Sequence, residues 1–321
     1  MREYRIRRSL LDAQNVAVII AAYNAAGTIA RAIRSALAEP EVVEVVVVDD
    51  RSRDATVENA RAADDGTGRL KVIVQAENRG QSAARNRGMD ESRAEWVAVL
   101  DSDDFFLPGR TAALLAYADR ADFIADDIWQ ADEASLDQPP RSLIGEALSE
   151  PRLVGFDEFV LSNVPSRGRK ELGYVQPIMR RSFLERHALR YQEHMRLGED
   201  YELYTRAIGC GARFLLVPGL GYVAVVRSDS LSERHRVEDL LHLRNCDREL
   251  EQLAGLTDSN RAALRQHAIN VDCRLQWRLL IDALKQRRLS AALASFAQPW
   301  PVPWYLTRRL MERALRRISG S

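Results

Sequence analysis

Acidic side chains follow directly after an apolar run near the middle of the chain. Residues 96–100 are apolar, and the next four are Asp101, Ser102, Asp103 and Asp104. Carboxylates crowded at the end of a buried strand repel each other and lose their hydration. A bound Mg²⁺ or Mn²⁺ ion would relieve both effects, because these ions take oxygen ligands. The pattern predicts a metal site, although Asp and Ser also favour turns and helix caps.

A second acidic pair and a basic segment strengthen the functional interpretation. Asp49 and Asp50 end another apolar run, and the carboxyl ends of parallel strands share one edge of a sheet. Between the two clusters, residues 78–88 begin with a glycine loop and continue as a helix that carries Arg85. Arginine side chains and helix N-termini both suit phosphate, although a solvated helix face would have the same composition. The sequence has no glycine-rich dinucleotide motif and no P-loop.

A third acidic feature lies far later in the chain. Glu199 and Asp200 follow Gly198 at the predicted start of a helix. One interpretation is a helix cap, favoured by the helix dipole. The other is a general base at the rim of the same cleft, positioned to take a proton from a hydroxyl group.

The elements that must position these residues alternate between two sequence periods. Apolar β-branched runs predict strands, and apolar residues at every third or fourth position predict helices. Strands are predicted at 16–22, 42–48, 70–74 and 96–100, with helices at 28–37, 54–63 and 81–91. This alternation indicates βαβ units and a mostly parallel, Rossmann-like α/β sheet flanked by helices. After Pro108 the pattern weakens, with short strands predicted at 122–129, 174–179, 214–217 and 222–226, and a loop at 132–151.

Composition narrows the class of protein. The 46 Lys and Arg residues balance 46 Asp and Glu residues, so no overall positive charge would attract nucleic acid. Cys210, Cys246 and Cys273 have neither metal-ligand nor redox spacing, which fits a reducing compartment. No signal peptide and no membrane-spanning apolar stretch is recognised. We expect a cytoplasmic protein, with or without peripheral contact at the inner face of the cell membrane.

Five motifs in one order carry a resemblance to a known family. They are VIIAAYN (18–24), VVVDDRS (46–52), NRGQSAARNRG (78–88), DSDD (101–104) and GED (198–200). Over residues 15–232 the chain resembles a family 2 glycosyltransferase with the GT-A fold, of the type that assembles bacterial polysaccharides.

The resemblance implies a role for each motif residue. It assigns nucleotide binding to Ala22, Tyr23, Asn24, Asp50, Arg85 and Asp101. Asp50 would hydrogen-bond a uracil-like base, and Asp101 would hold the ribose. Asp103 would ligate Mg²⁺ or Mn²⁺ at the diphosphate, and Asp200 would be the catalytic base of a single inverting displacement.

The chain departs from the family pattern at one point. Many relatives carry a His before a Ser-x-Ser pair, but residues 222–232 contain none, and we expect Arg227 to contact the diphosphate instead. His235 is interpreted as part of a solvated helix start. Glu199 and Gln176 are further candidates for contact with the acceptor or the diphosphate, Gln176 because it lies on a predicted strand near the cleft.

The end of the chain has an amphipathic pattern. Residues 300–318 combine two tryptophans and two prolines with a helix that has an apolar arc and an Arg-rich side. Such a helix can lie on an anionic membrane. The alternative is a helix packed on protein, including the interface of a homo-oligomer.

The resemblance and the patterns lead to one expected function. We place a GT-A catalytic domain at 1–235, with a nucleotide-sugar half at about 15–105 and an acceptor half at about 106–235, and a helical extension at 236–321. The enzyme would transfer a hexose from a nucleotide sugar, with UDP as the expected nucleotide, to a saccharide or lipid-linked saccharide. The missing glycine-rich loop counts against a sugar nucleotidyltransferase. The presence of both Asp103 and Asp200 counts against a non-catalytic nucleotide-sugar binding module.

Overall fold

The computed structural model describes residues 14–133, 141–144, 148–164, 171–219, 221–226 and 236–318, with side chains in the last helix up to residue 315. The chain divides into two compact units, Met1–Ser230 and Leu231–Ser321. This division lies a few residues before the predicted boundary at 235, and the two predicted halves of the first domain remain a prediction.

The first unit alternates strands and helices. Its strands are β1 (Val16–Ala22), β2 (Val42–Asp49), β3 (Leu70–Val74), β4 (Trp96–Val99), β5 (Phe105–Phe106), β6 (Phe123–Ala125), β7 (Ile128–Asp132), β8 (Arg141–Ser142), β9 (Arg152–Val154), β10 (Ile178–Arg180), β11 (Phe214–Leu216) and β12 (Tyr222–Val226). Its helices are α1 (Ile29–Leu37), α2 (Thr56–Ala62), α3 (Gln81–Glu91), α4 (Arg110–Leu115), α5 (Phe156–Ser162), α6 (Arg181–Arg186) and α7 (Glu199–Gly209).

Two sheets form among the described residues. Eight strands build the larger sheet in the order β3-β2-β1-β4-β10-β6-β11-β9, and four build the smaller one in the order β5-β12-β7-β8. Strands β3, β2, β1 and β4 are parallel neighbours, and β10 is antiparallel to both β4 and β6. The predicted α/β fold with a mostly parallel sheet is confirmed. The parallel strands bring the residues after β1, β2 and β4 to one edge.

Apolar continuity in the sequence explains the core. Strands β1 and β2 are buried along nearly their whole length, as expected for a parallel sheet covered on both faces. Helix α1 buries Ile29, Ile33 and Leu37, which lie on one side at helical spacing. Helix α3 approaches β1 closely because residue 88 is glycine: a Cβ there would lie 2.3 Å from Cγ2 of Ile19.

The structure corrects two strand predictions. The predicted strand at 122–129 is two strands, β6 and β7, in different sheets. The break falls at Asp126 and Asp127, whose buried carboxylates accept hydrogen bonds from Arg110 and from the Ile128 amide instead of continuing a ladder. The predicted strand at 174–179 begins only at Ile178, because a 3₁₀ turn precedes it.

The loop predicted at 132–151 includes β8, which pairs antiparallel with β7. Residues 134–140 and 145–147 of that prediction lie outside the described residues.

The second unit is helical in the part that the structure describes. Its helices are α8 (Val237–Leu250), α9 (Asp258–Lys285), α10 (Leu289–Ala294) and α11 (Val302–Ile318). The helices α10 and α11 both pack against α9. A small core joins these three helices and consists of Cys273, Leu280, Ala283, Ala292, Val302 and Leu306. None of the helices in the described ranges is long and apolar enough to cross a bilayer.

Candidate active site

The loop after β1 presents the first group of predicted residues. Ala22 is buried at the strand end, whereas the ring of Tyr23 is 47% exposed and free to stack on a planar ligand. Asn24 has a φ of 51°, in the left-handed region that Asn tolerates better than most residues. Its amide N–H donates to Ser52 Oγ at 2.8 Å, and its Oδ1 accepts from the Arg53 N–H at 2.9 Å. Asn24 therefore ties the loops after β1 and β2 together.

Asp50 anchors the loop that leads into α3. Its buried Oδ1 accepts from Gln75 Nε2 at 2.7 Å and from the Arg79 N–H at 2.8 Å, and its Oδ2 accepts from the Gly80 N–H at 2.8 Å. A carboxylate can accept about four hydrogen bonds. Three of these positions on Asp50 are occupied by the groups just named.

Arg85 joins carboxylates from two distant parts of the chain. Its side chain is 2% exposed, and Nη2 donates to Asp101 Oδ1 at 2.8 Å. The other terminal nitrogen, Nη1, contacts Glu199 Oε1 at 3.0 Å and Asp200 Oδ1 at 3.3 Å. Burial alone would lower the pKa of Arg85, but the negative charges of Asp200 and Asp101 outweigh it and raise that pKa well above its usual value.

Local structure fixes the position of this guanidinium. Arg85 lies on α3 one turn before Gly88, where the helix approaches β1 most closely. The ring of Tyr191 supports the guanidinium, whose Cζ lies 5.2 Å from the ring centroid.

Glu199 and Asp200 lie at the start of α7, after Gly198 in a left-handed conformation. Gln81 Nε2 donates to Glu199 Oε1 at 2.6 Å, and the Tyr204 hydroxyl donates to Asp200 Oδ1 at 3.3 Å. Burial, together with the charge of Asp200, raises the pKa of Glu199 to about 7. Burial also raises the pKa of Asp200, although the charge of Arg85 opposes that shift. A carboxyl group with a raised pKa is the stronger base when ionised.

The acidic strand end has one buried carboxylate and two that are at least partly exposed. Asp104 is buried; its Oδ2 accepts from the Tyr222 hydroxyl and its Oδ1 from the Val225 N–H, both at 2.8 Å. Burial and the charges of Asp101 and Asp103 raise the pKa of Asp104 well above its usual value. The Asp101 side chain is 40% exposed and Asp103 is partly exposed. Asp104 thus fixes the turn, whereas Asp101 and Asp103 lie nearer to solvent and Asp101 pairs with Arg85.

The donor set at this strand end fits a magnesium or manganese ion that is shared with a substrate. No group of three or more His, Cys, Asp or Glu side chains suited to a metal occurs among the described residues. Mg²⁺ is often held by only one or two carboxylates, with substrate phosphates and water completing its coordination. Asp103 would supply one such carboxylate, and Asp101, two residues before it, could supply a second.

Of the remaining candidates, the structure describes Gln176 but not Arg227 or His235. Gln176 lies two residues before β10, which begins at Ile178 and pairs antiparallel with β4. Gln176 is buried, and its amide oxygen has no hydrogen-bond partner. Arg227 and His235 lie outside the described residues.

Sequence reasoning did not identify Gln81, Tyr191 or Tyr204 as parts of this cluster. Gln81 could have been found, because its i,i+4 spacing to Arg85 places both on one face of α3. Tyr191 carries no comparable signal. Tyr191 reaches Arg85 only through the tertiary fold, whereas Tyr204 lies i,i+4 from Asp200 on α7 and could have been found in the same way as Gln81.

Comparisons with known proteins identify the family. The family model described as "Glycosyl transferase family 2" matches residues 17–188. The chain belongs to glycosyl transferase family 2. It is 45% identical over 311 residues to succinoglycan biosynthesis protein ExoU of Rhizobium meliloti (strain 1021), covering 96% of this chain and 90% of that protein. It is 37% identical to ExoO of the same organism, also a succinoglycan biosynthesis protein, covering 95% of this chain and 87% of that one.

Solved structures support the fold of this family 2 enzyme. S. aureus TarS 1–349 in complex with UDP-GlcNAc superposes with a TM-score of 0.62 at 18% identity, covering 88% of this chain and 90% of that one. The GT-A fold predicted from the resemblance is confirmed, and the chain is a glycosyltransferase. The matched family span ends before Glu199 and Asp200. The roles of these two residues, like those of the other site residues, therefore remain predictions.

Proposed function

We propose that this glycosyltransferase moves a hexose from a nucleotide sugar to a saccharide acceptor by an inverting, metal-dependent displacement. The observation that carries the proposal is the Arg85 cluster. One buried guanidinium contacts Asp101, at the strand end expected to hold the donor, and Asp200, the expected base. The two halves of the reaction would thus be held next to each other by one side chain.

The donor would bind along the edge formed by the ends of β1, β2 and β4. Tyr23 would stack on the base, Asp50 would accept a hydrogen bond from it, and Asp101 would hold the ribose. A uracil nucleotide is the favoured donor, since a ring N–H suits the remaining acceptor position of Asp50. The UDP-GlcNAc complex of TarS, a protein with the same fold, supports the same choice.

Asp200 would take the proton from the acceptor hydroxyl. Its raised pKa, caused by burial, makes the ionised carboxylate a stronger base than an exposed aspartate. Arg85 would keep that carboxylate ionised and oriented. Attack on the anomeric carbon from the face opposite the nucleotide inverts its configuration in a single step. Glu199 and Gln176 would position the acceptor, and Arg227 would contact the diphosphate.

Asp103 would hold Mg²⁺ or Mn²⁺ at the diphosphate. When bound, the ion would neutralise negative charge on the departing nucleoside diphosphate. Asp101 and Asp103 are the solvent-accessible carboxylates at this point, whereas Asp104 is buried and accepts from Tyr222 and Val225.

The acceptor would be a growing saccharide, free or lipid-linked, in the assembly of an exopolysaccharide. Support comes from ExoU and ExoO, both named as succinoglycan biosynthesis proteins and both similar over nearly the whole chain. The cytoplasmic location expected from the sequence is part of this proposal.

A thermal-shift panel tests the donor and the metal together. Nucleoside diphosphates and nucleotide sugars are added to the full chain with and without Mn²⁺. A bound ligand at a hundredfold excess over Kd stabilises the fold by about 2.7 kcal/mol. We expect the largest shift for a UDP-sugar with Mn²⁺, and a clearly smaller shift when EDTA is added. A shift of the melting temperature with other nucleotides only would contradict the proposal. So would a shift of equal size with and without Mn²⁺.

The variant Asp103→Ala separates the metal from the base pocket. We expect it to weaken Mn²⁺-dependent donor binding by more than about 10- to 100-fold, the range typical for the loss of a mere outer-shell partner of a metal ligand. Asp103 is partly exposed, so the fold should be retained. Uridine alone, which lacks the diphosphate, should bind the variant and the wild type equally.

A further inference from the structure

The second unit exposes large apolar side chains on two of its helices. Most large apolar side chains in a soluble protein are at least partly covered. The most exposed ones here belong to α10, α11 and the segment between them, and we call these the Leu–Trp surface. Its members are Leu289, Leu293, Trp300, Trp304, Met311 and Leu315.

Helix geometry shows that this exposure follows a regular stripe. Trp304, Arg308, Met311 and Leu315 follow each other at helical spacing along one side of α11 and are all exposed. The rings of Trp300 and Trp304 stack with centroids 6.3 Å apart, which extends the stripe beyond the first turn.

The same helices bury a different stripe. Val302 and Leu306 of α11 and Ala292 of α10 belong to the core of the unit. Leu289 and Leu293, one helical turn apart on α10, are 70% and 71% exposed. The internal packing of the unit therefore does not need the Leu–Trp surface, and something outside the unit has to account for it.

Charge indicates what covers this surface. Residues 285–318 contain eight Lys and Arg residues and one acidic residue, Glu312, a net charge of +7. In a symmetric dimer the same patch faces itself, so a second copy would bring like charges together. An anionic bilayer offers the opposite charge, and tryptophan and leucine side chains insert at the boundary between headgroups and acyl chains.

We propose that the Leu–Trp surface docks this glycosyltransferase onto an anionic lipid bilayer. Helix α11 would lie in the plane of the interface, with Trp304, Met311 and Leu315 among the lipids. Arg308 and Arg313 are exposed on the same helix and would contact lipid phosphates. No membrane-spanning segment is needed for this mode of binding.

Vesicle flotation of the full chain tests the proposal. Vesicles of phosphatidylcholine with phosphatidylglycerol in equal parts are compared with vesicles of phosphatidylcholine alone. We expect binding to the anionic vesicles that falls as salt is added, because exposed charges are screened. Equal binding to both vesicles, or no binding to either, would overturn the proposal.

Variants test whether the Leu–Trp surface is responsible for vesicle binding. Leu293→Glu combined with Met311→Glu should lower partitioning onto anionic vesicles at least about tenfold, because two inserted apolar groups become anions. The matched control is Leu153→Glu, an exposed leucine on β9 in the other unit, which should bind like the wild type. Unchanged melting temperatures establish that all variants are folded.

Light scattering distinguishes the membrane from a second copy. If the wild type is a dimer that the double variant converts to a monomer, and neither binds vesicles, the surface is a protein interface and the proposal is wrong. If the oligomeric state is unaffected while vesicle binding is lost, the proposal stands.

Discussion

The two units depart from the usual distribution of side chains in opposite directions. The first unit buries charge: Arg85, Glu199 and Asp50 are all at most 6% exposed. The second unit exposes apolar groups, with Leu293 and Trp300 at 71% and 74%. Buried charge costs free energy unless it is paired, and exposed apolar surface costs free energy unless it is covered.

The difference shows how buried charge and exposed apolar surface are each compensated. In the first unit the compensation lies within the fold, since every carboxylate of the cluster contacts Arg85. In the second unit the described residues show no comparable internal partner for the Leu–Trp surface, and compensation has to come from outside. Changes in the first region should therefore cost stability, whereas changes in the second should cost only binding.

The largest expected effect follows from removing the guanidinium of Arg85, which three carboxylates share. In Arg85→Met, Asp101, Glu199 and Asp200 lose their counter-charge, and the free energy of unfolding should fall by about 3–5 kcal/mol. The matched control is Arg79→Met, which breaks an exposed pair with Glu193 and should cost less than about 1 kcal/mol. Chemical denaturation of the full chain measures both. Equal losses would show that the cluster is no more important to the fold than a surface ion pair.

The next effect is a pH dependence caused by Glu199. Its pKa is raised from 4.5 to about 7 in the folded protein, so the folded state holds a proton that the unfolded state releases in this range. Stability should therefore fall as pH rises between these values. In Glu199→Gln this loss disappears, and the variant should gain up to about 3 kcal/mol relative to the wild type by about pH 8. Parallel stability curves for the two proteins from acid to neutral pH would contradict the assignment.

The smallest effect is expected on the exposed surface. Leu293→Glu should change the free energy of unfolding by less than about 0.5 kcal/mol, because the side chain is mostly in water. Leu306→Ala, on the buried side of α11, should lose about 2–5 kcal/mol. If Leu293→Glu proves as costly as Leu306→Ala, the two units do not differ in the way described above.

The sequence predicts best what depends on local patterns. The strand ends at Asp50 and Asp101 and the helix start at Asp200 follow from apolar runs and cap positions. Because parallel strands share an edge, the first two could be placed together without a structure. The burial of Asp104 and the partial exposure of Asp103 could not be predicted, because Tyr222 and Val225, which hold Asp104, lie far along the chain.

Long-range contacts set the limit of such predictions. The contact of Arg85 with Glu199 and Asp200 spans more than a hundred residues and carries no sequence period. The family resemblance implies that Arg85 reaches the nucleotide, which stays a prediction, and the pairing with three carboxylates was not foreseen. Likewise, the sequence predicts an apolar arc on α11 but not which part of it is buried. Packing against α9 decides this and leaves Trp304, Met311 and Leu315 exposed.

The central claim is that the buried cluster is the catalytic centre and that Asp200 is its base. The most direct test compares Asp200→Asn with the wild type in sugar transfer and in donor binding, using the donor that the thermal-shift panel identifies. Asparagine has the same shape as aspartate but cannot take the proton, so turnover should fall about 10²- to 10⁴-fold. Donor affinity, measured by calorimetry, should stay nearly the same. Near-normal turnover, or a loss of donor binding as large as the loss of transfer, would contradict this account.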